Sequence, residues 1–91
     1  MQASPRPQMS RAQKIRWYTD QLIKDAASDE QKGDRETAIS CYLQAVDLML
    51  LLAKAEENYT AWKYYADKAA FCQQKARGLI ALAPKNAAGG V

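Results

Sequence analysis

Histidine is absent from the 91 residues, and cysteine occurs only twice, at Cys41 and Cys72. Without an imidazole there is no ordinary base to activate a nucleophile, and a mixed Cys/His metal set cannot be assembled. The two cysteines fall on separate predicted helices and are expected as reduced, buried thiols. Glycine is scarce as well. Gly33, Gly78, Gly89 and Gly90 form no phosphate-cradling loop, and no strand precedes any of them. Acidic pairs occur at Asp25/Asp29 and Asp29/Glu30, but on a solvated helix face such pairs are ordinary surface charge rather than an acid/base couple. No catalytic residue, metal, cofactor or small-molecule substrate is therefore expected. What remains is binding.

Long apolar runs are also missing. The longest, Leu48 to Ala53, is far short of the roughly 20 residues a bilayer-crossing helix needs. The opening MQASPRPQMS carries Arg and Pro without an apolar stretch, so it does not read as a secretory signal, and a cytoplasmic location with only indirect membrane contact is expected. Ninety-one residues make one domain at most, with a modest stability margin. Apolar residues at 48% and charged ones at 25% place it among globular domains and away from disordered chains.

What is present is helical periodicity. The stretch Asp34 to Lys54 has no Pro or Gly, opens with an acidic turn, and spaces Ser40, Gln44, Asp47 and Lys54 along one polar row. The rest of it is apolar almost all round. Ala38, Tyr42, Ala45, Met49 and Ala53 form one stripe, and Ile39, Leu43, Val46 and Leu50 form a second beside it, so this helix requires a neighbour on each side. Leu51 interrupts the polar row between Asp47 and Lys54, beside Leu48 and Ala55, where charge is expected. That patch is a first sign of a binding groove.

Before it, Ser10 is a suitable N-cap for a helix ending near Lys32, with Ala12, Ile15, Tyr18, Thr19, Leu22, Ile23 and Ala26 on one side and Trp17 opposite. Gly33 supplies the left-handed C-cap, and so tight a connection makes the first two helices antiparallel. After it, Asn58 or Thr60 caps a third helix from about Tyr59 to Leu82, stopped by Pro84, with a core stripe of Trp62, Tyr65, Ala66, Ala69, Cys72, Ala76, Leu79 and Ile80. The expected architecture is all-α: a lead-in over 1–9, an antiparallel three-helix bundle over 10–83 with helices at about 10–32, 34–55 and 59–82, and a linker over 84–91.

Net charge is +3, with acids concentrated between Asp20 and Glu36. Five bases (Lys63, Lys68, Lys75, Arg77, Lys85) and only Asp67 follow Asn58. An outer row on the third helix, Tyr64, Lys68, Phe71, Lys75, Gly78 and Leu82, interleaves aromatics with lysines. It offers an alternative function, binding of a polyanion such as nucleic acid, acidic lipid or tubulin tails, although a single helix is a thin footprint and direct nucleic-acid binding is not expected; a fragment of a helical-repeat scaffold is a further alternative.

The run Ala26, Glu30, Gly33, Asp34, Ala38, Ile39, Tyr42, Ala45 and Val46, followed by a leucine-rich end and then Cys72, Lys75, Ala76, Arg77 and Leu79, resembles the microtubule-interacting-and-transport (MIT) domain over about residues 22–82. The G-D-x-x-x-A-I-x-x-Y-x-x-A core is shared with tetratricopeptide hairpins. Three helices of more than 20 residues suit an MIT bundle better than a repeat array, which needs about three stacked copies.

The resemblance implies a module that docks short C-terminal motifs of ESCRT-III-like filament proteins and recruits an attached effector, most often a AAA ATPase, in membrane remodelling, trafficking or cell division. It also implies two grooves. The one between the second and third helices receives an amphipathic helix and maps to Leu48, Leu51, Ala55, Ala66, Ala70, Gln73 and Arg77. The one between the first and third receives an extended, proline-containing segment and maps to Ile23, Ala27, Ala61, Lys68, Cys72 and Leu79. Gln73 and Arg77 depart from the family, which often has a leucine and an acid there, so the usual helical motif should bind poorly and the first-third groove is favoured.

Overall fold

A computed structural model describes residues 9–82 of the chain; the expected linker and all but Met9 of the lead-in lie outside them. Among the described residues there are three helices, α1 (Arg11–Lys32), α2 (Arg35–Ala55) and α3 (Tyr59–Leu82), and no strand. The all-α expectation is met, and the helix ends fall within a residue of those read from the sequence.

Local chemistry sets those ends. At the start of α1 the Ser10 hydroxyl accepts from the Gln13 N–H at 3.1 Å, while the Gln13 side chain accepts from the Ser10 N–H at 2.8 Å. This reciprocal box satisfies two amides that the first helical turn leaves without partners. Gly33 ends α1 with φ +84°, and the N–H groups of Gly33 and Asp34 donate to Glu30 and Asp29 at 3.1 and 2.8 Å. Glycine reaches that left-handed conformation without steric cost. Asp34 then caps α2 through the Thr37 N–H, and Asn58 caps α3 through the Ala61 N–H at 3.0 Å.

The two short connections fold α2 back on α1 and α3 back on α2, so α1 and α3 run parallel. The core is rich in alanine: Ala26, Ala38, Ala45, Ala53, Ala69 and Ala76 are all buried, around the larger Leu22, Tyr42, Met49, Tyr65 and Leu79. Small side chains let backbones approach closely and leave little to fill a third seam. Thr19 is the single buried polar side chain among the described residues, and its hydroxyl donates to the Ile15 carbonyl at 2.7 Å, which removes the cost of burying it.

α2 lies along both neighbours, as its two apolar stripes require, whereas α1 and α3 scarcely approach one another. α2 is also long and apolar enough, by length and composition, to cross a membrane, although its longest unbroken apolar run is short. Its buried arc instead faces α1 and α3.

The core is narrower than the apolar pattern. Ala12 and Tyr18 of α1, Leu43 and Leu50 of α2, and Trp62 and Ile80 of α3 are exposed, although each was expected on a buried face. Every helix here carries a wider apolar arc than one or two neighbours can cover. Trp17, placed opposite the core of α1 by its spacing, is exposed.

Candidate functional site

The seam where α1 and α3 stand apart holds a recess of about 440 Å3. Ile23, Ala27, Glu30 and Gln31 form its α1 wall, Phe71 and Lys75 its α3 wall, and Tyr42 of α2 its floor. Spacing explains the walls: 23, 27 and 30 follow one another at four and three residues, and 71 and 75 at four, so each set lies on one helix face. The apolar side chains cluster around Ile23, Ala27 and Phe71, and the polar ones stand at the Glu30 and Lys75 end.

At that end one carboxylate joins all three helices. Glu30 Oε2 accepts from Lys75 Nζ at 3.1 Å, and Glu30 Oε1 accepts from the Tyr42 hydroxyl at 3.0 Å. Lys75 Nζ also stands 6.0 Å from the centroid of the Tyr42 ring. The Lys75 ammonium first, and the Tyr42 hydroxyl second, hold the Glu30 carboxyl below the usual glutamate range. Burial first, and then the bond to Glu30, push the Tyr42 phenol up to about 12.

These shifts have signed consequences. Because folded Glu30 has the lower pKa, its stabilisation is present above the unfolded glutamate value and is lost as pH falls through the folded one. Tyr42 is the reverse. Its stabilisation is complete below pH 10 and is lost between about 10 and 12, where the unfolded chain ionises first. In an ultraviolet titration of the five tyrosines, the last ionisation is expected near pH 12 or together with loss of helicity, and Tyr42→Phe should remove that step. A single common ionisation step with helicity intact would show that the Tyr42–Glu30 bond is absent in solution.

The structure distributes the sequence-derived groove residues unevenly. Of those assigned to the α1/α3 groove, Ile23 and Ala27 line the recess. Ala61 packs partly against the core, Lys68 lies over the Tyr64 ring at 5.5 Å, and Cys72 and Leu79 belong to the core itself. Burial raises the Cys72 thiol pKa, so it is not a ready thiolate. Cys41 is only partly buried, and burial, followed by the charges of Asp29, Asp25 and Asp34, raises its thiol too.

Of the residues assigned to the α2/α3 groove, Ala66 is half-buried, and Ala70, Gln73 and Arg77 are exposed on α3. Leu51 and Ala55 do not face them. With Leu52 they line a recess of about 400 Å3 whose far wall is Arg11, Ala12 and Ile15 of α1. Leu48 shares their flank by helical spacing and packs partly against the core. By helical spacing the opposite flank of α2 carries Ile39, Leu43, Val46 and Leu50.

Glu30, Gln31, Tyr42, Phe71 and Lys75 are the recess residues that the sequence-derived groove omitted. The i, i+4, i+7 relation of Ile23, Ala27 and Glu30 was the available signal. Comparison of the chain with protein-family models, with curated proteins and with solved structures gave no match.

Proposed function

We propose that this chain is a peptide-docking module of the MIT kind, whose α1/α3 groove receives an extended segment from the tail of an ESCRT-III-like filament protein. In this reading it works in the cytosol and brings an attached effector, a AAA ATPase, to the filament. The observation that carries the reading is the open seam between α1 and α3, apolar along Ile23, Ala27 and Phe71, and polar where Glu30 meets Lys75. An extended peptide has alternating side chains to drop into such a furrow and unpaired backbone groups for a polar rim. One short furrow buries an area at the low end for specific interfaces, so a dissociation constant on the order of micromolar or weaker is expected, and multiple tails on a filament supply avidity.

The polyanion alternative is less favoured by the same geometry. Lys75 is paired with Glu30, Lys63 with Asp67 at 3.0 Å, and Lys68 is drawn over Tyr64, so three of the basic side chains on α3 already have partners. A salt series separates the two readings, because groove docking persists at ionic strengths where binding to a polyanion falls steeply.

The direct test titrates C-terminal tail peptides of ESCRT-III subunits into the 15N-labelled chain. Shifts should concentrate at the amides of Ile23, Ala27 and Phe71, and Ile23→Asp should weaken binding by about tenfold or more with helicity unchanged, since it buries a charge in the contact. If no tail perturbs these amides, or Ile23→Asp leaves affinity unaltered, the docking assignment fails.

A further inference from the structure

A second surface lies on the other flank of α2. Leu51 is 48% exposed in the middle of a solvated row, four residues after Asp47 and three before Lys54. Both charged side chains are exposed, and neither belongs to an ion pair among the described residues. Beside Leu51 opens the recess of about 400 Å3 formed with Leu52, Ala55 and the first turns of α1, with Arg11 among its lining residues. The row therefore holds an apolar knob, an apolar hole and one charge of each sign on either side of the knob.

That order is complementary to itself. When a second copy of α2 is laid antiparallel across the first on a two-fold axis near Leu51, residue 47 of each copy falls opposite residue 54 of the other. Asp47 then meets the second copy's Lys54, with the second copy's Arg11 close by, and the same contact is made twice. The two Leu51 side chains meet beside the axis, each at the mouth of the opposing recess. A parallel arrangement would set Asp47 against Asp47 and Lys54 against Lys54, so the charges select the antiparallel one. We propose that this face of α2 is an isologous interface, and that its occupant is a second copy of this chain.

The interface is small. Two leucines at the mouths of apolar recesses, flanked by exposed ion pairs, correspond to a weak, salt-sensitive dimer with a dissociation constant of roughly micromolar to sub-millimolar. It lies apart from the α1/α3 seam and does not rest on the docking proposal. If both hold, a dimer carries two α1/α3 seams that run in opposite directions.

Sedimentation equilibrium of the full 91-residue chain, over a concentration series at low and at moderate salt, tests it. A reversible monomer–dimer equilibrium that weakens with salt is expected. Leu51→Asp should weaken it by about tenfold or more with helicity retained, because the residue is exposed in the monomer and buried in the dimer.

The charges give the sharper result. Asp47→Lys and Lys54→Asp each place like charges face to face and should each weaken self-association by about tenfold, the cost of roughly 1.4 kcal/mol across two contacts. Mixing the two variants restores opposite charges at both contacts, so the mixture should associate more tightly than either variant alone. A chain that stays monomeric up to millimolar concentration overturns the proposal. So does a dimer indifferent to Leu51→Asp, or variants whose mixture behaves as the average of its parts.

Discussion

Replacing Tyr42 with alanine is expected to destabilise the fold by about 3–5 kcal/mol, the range found when a large buried aromatic is truncated in a core that cannot collapse around the gap. Tyr42 is 1% exposed, at the point where the three helices meet, and its hydroxyl holds the carboxylate that Lys75 also holds. Its loss leaves a void under the α1/α3 seam and takes one of two hydrogen bonds from Glu30. Tyr42→Phe separates these effects. It keeps the ring and removes only the bond, so about 0.5–1.5 kcal/mol is expected, with the Glu30–Lys75 pair still formed. Urea unfolding followed by circular dichroism measures both. For a domain of this size each kcal/mol moves the melting temperature by roughly 4–8 °C, so the alanine variant should be largely unfolded at the temperature where the native chain begins to melt. A cost for Tyr42→Ala no greater than that for Tyr42→Phe would show that the ring does not join the helices.

Enlarging Ala45 is expected to do comparable damage by the opposite route. Ala45 is fully buried on α2, in the middle of the alanine-lined contact between helices. A leucine there has no space unless the neighbouring helix retreats or side chains leave their rotamers, and such overpacking costs about 1–3 kcal/mol. Ala70→Leu provides the control, because Ala70 is exposed on α3 and alanine and leucine differ little in helix propensity. The control should unfold within about 0.5 kcal/mol of the native chain. If Ala45→Leu is equally neutral, the helices are not as close as the buried alanines indicate.

The contrast between those two alanines shows how much of the molecule its sequence discloses. Helix ends are set by nearest neighbours, so Ser10, Gly33 and Asn58 mark them plainly. The stripe from Ala38 to Ala53 has a single period and was readable too. What periodicity does not disclose is the order of neighbours around a helix that is apolar on nearly every side. The polar row of α2 marks the side turned away from the core and does not record on which flank α1 or α3 stands, and for that reason Leu51 and Ala55, read as facing α3, stand against α1. The hand of a three-helix bundle is fixed by packing, and no local pattern records it.

The candidate site was half legible for a related reason. Ile23 and Ala27 follow the helical rows. Glu30, adjacent in sequence to Asp29, looks like one more solvated acid until α3 delivers Lys75 from 45 residues away. Cys72 and Leu79 lie on α3 one row deeper than the recess, and only the observed burial separates core from wall.

The joints of the bundle bear on how it assembles. Two residues separate α1 from α2 and three separate α2 from α3, and the extensive contacts run between chain neighbours. Closing such short loops loses little chain entropy, and topologies built from adjacent elements reach the native state in microseconds to milliseconds. The α1–α2 hairpin, held by the Gly33 turn, is suited to forming first and offering its alanine face as the template on which α3 zips.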